Sequence, residues 1–585
     1  FLTVLSLADE FTIEMAKAVT GREDAAELLA DLTTRNAFVK RLPDSDRYRC
    51  HHVMKHCAMR AFHKLSAEKQ TVYYDRYGQW YEQHGHLLHA MTAYRACGDY
   101  DALLRVIEKD SGICLAITRP KIALADLDAC PKSTLKEHPI ALLVLMRCMF
   151  NWHQIPKMME LKQLLTDTIA EDNTLSEDER KNLSGECDLI MSFLMYNDIT
   201  GMSVLHRQAS SKMTRPAISI RKTGSWTFGS PSVLMMFHRR SGTLDAELTA
   251  MNECMPHYYR ITQGHGQGAE LLMNAEAAFM QGNFSDAQIL LEQTYSTIAS
   301  NGQHNISLCC DFLAARLSLF QESVTFVKNP EVKRKELLSL HNMMWLNIFD
   351  STYAYYYALT GMPEKIPALF KDHMLSTVSF LSPCRPMMEM IENQVFLSQK
   401  MYAKVIGRSE TLLPVCEKMH YELVSLHVQI QTASAYAMLG KHHDARQLLL
   451  KALGHAMPDG FLIPFVENYT YIKDVLGSIN SITPEPFTDR ILSLGSVYEQ
   501  HCRCLSSHNS RPEILNMLNS REAEIAALIT DRLSNREIAE RLFLSEGTVK
   551  QYVNQIYSKL MINGDTRTKR KQLAELISSI NKSLT

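Results

Sequence analysis

The chain has 585 residues, roughly four domains' worth of structure at about 150 residues per domain, which excludes a single small module. Apolar residues make up 46% and charged residues 22%, the balance of a folded protein rather than a disordered one. The 62 Lys and Arg against 64 Asp and Glu leave a net charge of −2, so there is no global basic field and any nucleic-acid contact must be local.

No signal peptide opens the chain, and Phe1 already stands inside a segment with the pattern of a folded unit, residues 1–65, so a further N-terminal part is expected to precede it. In CHHVMKHC, His52 and His56 share a helix face with Cys57 nearby and His51 pointing elsewhere. No second Cys or His pair stands at zinc-finger spacing, so ordinary core or surface histidines are expected and no metal site. The 14 cysteines are irregularly spaced and mixed with 31 methionines, which reads as reduced core thiols and a cytoplasmic protein. The longest apolar run, Ile140 to Met146, stops at Arg147, short of the roughly 20 residues a membrane span needs, so no membrane association is expected.

From about residue 66 to residue 500 apolar residues recur at three- and four-residue spacing, which predicts helix after helix. Gly282, Gly361 and Gly440 lie 79 residues apart in similar small-residue contexts, and Lys400 takes the glycine's place between the last two. The basic period is therefore about 40 residues, the length of a helical hairpin in a tetratricopeptide-like solenoid. Residues 77–108 read as an earlier copy. An irregular helical domain with accidental spacing is the alternative. Solenoids leave a concave face free for peptides, proteins or small effectors and rarely do chemistry. There is no GxxxxGK[ST], HExxH or GxSxG, so no catalytic residues and no enzymatic activity are expected. The cluster Gly264 to Gly268 does not follow a strand and reads as an interhelix loop, while the polar stretch from His238 and Arg239 through His265 and Glu270 could line an effector groove.

Residues 501–514 turn polar and helix-breaking, an exposed linker in which Cys502 and Cys504 sit one residue too close for CxxC. The small domain that follows, 515–585, carries eleven basic and eight acidic residues, +3 against −5 for the rest. Asn519 with Glu522 opens its first helix, with Ile525, Leu528, Ile529 and Leu533 on one face. Ser534 with Glu537 forms a capping box for the second, which buries Ile538, Ala539 and Leu542, and Ser545 caps the third after a turn at Phe543 and Leu544. Val549, Val553, Ile556 and Leu560 give the third helix a dry back; Gln551, Asn554, Gln555 and Ser558 form its polar front, flanked by Thr548, Lys550, Tyr552 and Lys559. Gln and Asn pair with adenine edges, Lys reaches guanine acceptors or phosphates, and hydroxyls bind phosphate oxygens. Two short helices with a tight turn and a polar outer face form a helix-turn-helix, whose second helix enters the major groove. A solvated helix in a plain bundle is the competing interpretation.

The run from Leu518 through Leu560, including SNREIAERL and SEGTVK, is similar to the LuxR-type DNA-binding domain. The resemblance implies a four-helix domain with base contacts at Lys550, Gln551 and Asn554 and phosphate contacts at Ser545, Thr548, Tyr552 and Lys559. Two departures are Arg532 in place of the usual glycine, and Gly564-Asp565 where asparagine-arginine is usual, followed by Arg567 and the basic run Lys569 to Lys571; they leave dimerisation through a last helix near 571–581 less fixed than the groove contacts. The FLTVLSLADEFTIEMAKAVTG and YRCHHVMKHCAMRAF strings resemble the winged-helix segment of the large MalT-like regulators, and LGKHHDARQLLLKALGHAMPDGFLIPFVE resembles the end of their helical-repeat sensor. The nucleotide-binding domain that precedes the winged helix in those regulators is missing here, which implies a fragment of a longer ATP-dependent switch or a shortened regulator working without ATP.

The resulting expectation is a mostly all-α protein: winged-helix-like 1–65, solenoid sensor 66–500, linker 501–514 and LuxR-type domain 515–585. By resemblance it is a bacterial transcription regulator, an activator in most of the family. It would bind promoter DNA, act with RNA polymerase, take a small-molecule or protein effector on the solenoid and self-associate on DNA, with no cofactor except ATP should an ATPase domain precede it. A sigma-factor-like protein shares the third-helix pattern but lacks a promoter-melting region here; the remaining alternative is a helical-repeat interaction scaffold with an accessory DNA tether.

Overall fold

The computed structural model describes residues 1–35, 38–43, 45–118, 120–224, 226–299, 301–321, 330–339, 342–378, 380–509, 520–530, 533–542, 544–560, 562, 564, 568–574 and 576. Among them the protein is almost wholly helical, with one two-stranded sheet. No described helix is long and apolar enough to cross a membrane.

The N-terminal unit packs helices Ile13–Thr20, Ala25–Thr34 and His52–Phe62 around an antiparallel ribbon, Val39–Arg41 paired with Tyr48–Cys50, which an isolated bridge ties to Phe11. Thr12 caps the first of these helices, its Oγ1 accepting from the Met15 amide at 3.1 Å. Phe11, Met15, Val19, Leu29 and Tyr48 form its core. Helix Ala67–Gln83 closes that core: Tyr77 is buried in it and donates its hydroxyl to the Val4 carbonyl at 3.0 Å. His51 and His52 lie ring to ring at 4.3 Å where helix His52–Phe62 begins, and Cys57 is exposed.

Helical hairpins follow, among them Ala269–Met280 with Phe284–Ala299, Arg385–Ser398 with Tyr402–Met419, and Glu422–Met438 with His442–Ala456. The expected period is carried by the backbone. Gly282, Gly361 and Gly440 turn their hairpins with φ of 80°, 68° and 74°, and Lys400, the substitute, is held at φ 62°. A side chain in that left-handed region costs roughly 1–2 kcal/mol that glycine does not, so the turn geometry is imposed by the packing of the paired helices.

Two repeats depart from the pattern. After Gly361 the second helix collapses to the single turns Pro363–Lys365 and Ala368–Lys371, because Pro367, at the fifth position, removes an amide donor that a full helix needs and its ring would clash with the carbonyl four residues back. Between helices Ile199–Lys212 and Leu244–Thr262, the described residues of 213–243 are not helical except at Leu234–Phe237. This segment is nonetheless deeply placed, with Ser219, Thr227, Ser230, Ser232 and Val233 to His238 buried.

The linker begins later than expected. Helix Pro486–Asn509 runs through the first part of 501–514, because Tyr498 and Cys502, one turn apart, are both buried against the solenoid core with Leu505 beside them. Cys504, by contrast, is exposed. The rest of the linker, 510–514, lies outside the described residues.

Candidate nucleic-acid interface

Three short helices, Ser520–Thr530, Asn535–Leu542 and Glu546–Lys559, enclose a separate small core of Ile525, Ile529, Ile538, Val549, Val553 and Ile556. The caps are those the sequence calls for. The Ser534 amide donates to Glu537 Oε2 at 2.7 Å while the Glu537 amide donates back to Ser534 Oγ at 3.3 Å, a reciprocal capping box. Electrostatically this holds the Glu537 carboxyl below its usual pKa, chiefly through the Ser534 hydrogen bonds. Ser545 Oγ accepts from the Thr548 amide at 3.0 Å and starts the third helix. Asn519 and Phe543 lie outside the described residues.

The third helix divides cleanly. Val549 and Ile556 are fully buried and Val553 is 5% exposed, whereas Lys550, Gln551, Asn554, Gln555 and Ser558 face solvent. Lys550 and Asn554 are one turn apart, with Gln551 beside them, so three side chains able to read base edges share one exposed face. Among the described residues Lys550 makes no ion pair, whereas Lys559 does.

The four proposed phosphate residues behave differently. Ser545 and Thr548 hydroxyls bond each other at 2.7 Å at the helix N-terminus, where a phosphate would also meet the positive end of the helix dipole. Tyr552 is half-buried, its ring packed on the domain core. Lys559 bonds Glu522 Oε2 at 2.7 Å, and that carboxylate is 2% exposed, so the lysine ties the third helix to the first. Any phosphate contact there has to share the ammonium with Glu522.

Two supports escaped the sequence reading. Arg570 bonds Asn535 Oδ1 at 2.8 Å and also the Leu533 carbonyl, fastening the helical residues 568–574 to the start of the second helix. Its partners lie 35 and 37 residues away, so no local pattern signals them. Tyr557, buried beside Ile556, extends the dry face; its place four residues after Val553 was the available signal. Lys569 stands 5.9 Å over the Tyr557 ring. Leu573 is fully buried, while Asp565, Arg567 and 577–585 lie outside the described residues.

Residues 516–570 match the family described as bacterial regulatory proteins, luxR family. The chain ends in a LuxR-type DNA-binding domain. At the other end, residues 1–70 match the MalT winged helix domain, in agreement with the ribbon and helices seen there. The chain is 32% identical over 110 residues to the transcriptional regulatory protein LnrK of Bacillus subtilis (strain 168), 18% of this chain and 49% of that protein. It is 45% identical over 53 residues to the transcriptional regulatory protein DegU of Brevibacillus brevis, 9% of this chain and 22% of that protein. The chain thus spans about half the length of one of these relatives and less of the other. With its MalT-type and LuxR-type ends, the chain has the make-up of DNA-binding transcription regulators.

The four residues expected to line an effector groove are each engaged by neighbouring side chains. His238 is 1% exposed, with its Nδ1 2.7 Å from Glu247 Oε2 and its Nε2 3.6 Å from Asp459. Arg239 pairs with Asp198 at 3.1 Å. His265 is 6% exposed, with its Nδ1 2.7 Å from the Tyr258 hydroxyl, and burial pushes its pKa down to about 4. Glu270 accepts from the Tyr259 hydroxyl. These contacts hold the fold: His238 and Arg239 belong to the irregular segment, and His265 to the glycine loop, which lies between helices as its sequence predicts.

Proposed function

We propose that this chain is a cytoplasmic transcription regulator whose LuxR-type domain reads promoter DNA through Lys550, Gln551 and Asn554 and seats itself on phosphates through Ser545, Thr548, Tyr552 and Lys559. The observation that carries the reading is the common exposure of Lys550, Gln551 and Asn554 on a capped helix whose opposite face is buried. A single small domain makes few phosphate contacts and binds weakly; linking several raises their effective concentration on neighbouring half-sites. In this reading the solenoid takes a small-molecule or protein effector and sets self-association, and the assembled domains act with RNA polymerase as an activator. It involves no enzymatic step, and no cofactor except ATP on a preceding ATPase domain where the protein has one.

The test is retention of genomic promoter fragments by residues 510–585 and by the full chain at two salt concentrations, followed by sequencing. A shared motif in the retained DNA supports sequence-specific regulation. Salt-sensitive retention without a motif reduces the domain to a general DNA tether, and no retention by either protein overturns the reading in favour of a solenoid scaffold.

A further inference from the structure

The irregular segment 213–243 is held in an unusual way. A loop of about thirty residues without secondary structure is uncommon inside a packed domain, since its amides need partners that no ladder supplies. Here helix-borne acceptors supply them one after another. Glu186 Oε2 accepts from the amides of Ile218 at 3.1 Å and Ser219 at 3.0 Å. Asn305 Oδ1 accepts from the Thr227 amide at 2.9 Å, and Glu276 Oε2 from the Leu234 amide at 2.7 Å. Glu247 Oε1 accepts from the Arg239 amide at 2.9 Å, and Asp459 takes those of Gly242 and Leu244 at 2.6 and 3.0 Å. These acceptors come from helices spread between residues 177 and 459, so the part from Trp226 to His238 runs through the inside of the repeat array while Ile218, Arg221 and Thr223 stay exposed.

Its apolar side chains behave as anchors in pockets. Trp226 stacks on Phe237 at 5.3 Å and lies so close to Gly266 that a Cβ there would overlap the indole. Phe228 sits between Phe150 and Phe193, at 5.8 and 5.9 Å. Phe228 is also held at φ 52°, a left-handed conformation that costs a bulky residue about 1–2 kcal/mol. One side of Asn305, its Nδ2, is buried with no hydrogen-bond partner. Main-chain amides met by side-chain acceptors, with buried aromatic side chains as anchors, are features by which a groove holds a peptide.

We infer that residues 217–238 are an intramolecular ligand: they occupy in cis a peptide groove inside the solenoid, and the partner that groove fits is a peptide that turns between aromatic anchors separated by small hydroxyl residues, as this segment does. Binding such a peptide in trans requires the cis segment to leave, so the groove is closed until it does. The inference concerns the sensor and stands whether or not the LuxR-type domain reads a specific operator.

In the full chain, residues 217–238 are replaced by a Gly/Ser segment of equal length, and binding of a synthetic 217–238 peptide is followed by fluorescence anisotropy. The replaced chain is expected to bind at least about tenfold more tightly than the native chain, and to lose that gain with Asn305→Ala; equal, absent or Asn305-independent binding overturns the proposal. Native-chain hydrogen exchange covers the case in which the replaced chain does not fold. The Ser219, Thr227 and Leu234 amides are expected to exchange at least about tenfold faster than those of Ala277 and Ile430 in neighbouring helices. Thr227 Oγ1 lies 4.0 Å from Cys309 Sγ, so Thr227→Cys oxidised with diamide joins the two sulfurs, and that bond should slow the segment to the rate of the helices. Segment amides as protected as the helices without the bond, or unaffected by it, identify 217–238 as permanent core and refute the proposal.

Discussion

Replacing Arg316 with methionine isolates the energetics of a deeply buried ion pair of the solenoid. Arg316 is 3% exposed and Glu467 0%; Nε and Nη2 meet the two carboxylate oxygens at 2.7 and 3.0 Å. The guanidinium carbon stands 5.0, 5.4 and 5.6 Å from the ring centres of Phe279, Phe312 and Tyr355, and the Tyr355 hydroxyl donates to Glu467 at 2.8 Å. Arg316→Met keeps the stem among the rings but leaves the Glu467 carboxylate buried with the tyrosine hydroxyl alone, a loss of about 3–5 kcal/mol. With a urea slope near 3 kcal/mol per M, a cost of about 4 kcal/mol moves the unfolding midpoint down by roughly 1.3 M. Arg316→Met combined with Glu467→Met removes both charges, and most of the loss should return, because replacing a whole buried pair with apolar groups is about neutral. Urea unfolding followed by circular dichroism on the two variants decides it. A single variant within about 1 kcal/mol of the native chain, or a double variant as weak as the single, would refute the reasoning.

Lys400→Gly should stabilise the chain by about 0.5–1 kcal/mol, since the exposed side chain gives up little and the left-handed strain is relieved; thermal unfolding reads the gain. Ser534→Ala removes one half of the capping box and should lower the stability of the C-terminal domain by about 1 kcal/mol, measured by denaturation of residues 510–585. Burial raises the Glu276 carboxyl from 4.5 to about 7, so the folded state holds a proton that the unfolded state releases. Its contribution is therefore whole below pH 4.5 and fades as pH climbs to about 7, a loss of about 3 kcal/mol that Glu276→Gln should abolish. His206 and His265, pushed by burial to about 3 and about 4, act in the opposite sense: stability falls as pH drops below 6.5. Stability of the native chain minus that of Glu276→Gln, measured from pH 4.5 to 8, isolates the carboxyl, and a flat difference would count against its protonation.

Local signals carried far. The capping box at Ser534 and the dry stripe of the third helix were legible because each depends on residues within one or two turns, and the 40-residue period because one turn pattern recurs along the sequence. Lys400 shows how deep the period runs, since even a residue that resists φ > 0 adopts the glycine turn. What the sequence hid was tertiary. Nothing local shows that Arg570 reaches Asn535 or that Lys559 answers Glu522. The irregular segment did leave a trace in Pro216, Gly224, Gly229, Pro231 and Gly242, but its placement depends on acceptors up to 217 residues away, and so His238 and His265 read as groove residues when they are interior struts. The helix through Cys502 was missed because its polar composition masks a single buried face.

The central claim is that one exposed helix face reads DNA sequence. It is tested most directly by titrating the full chain, and its Lys550→Ala/Asn554→Ala variant, onto a promoter motif recovered by selection and onto unrelated DNA of equal length. The account predicts a loss of about 1–3 kcal/mol per removed base contact on the motif, with little change on unrelated DNA. Equal affinity of the two proteins for the motif would contradict it.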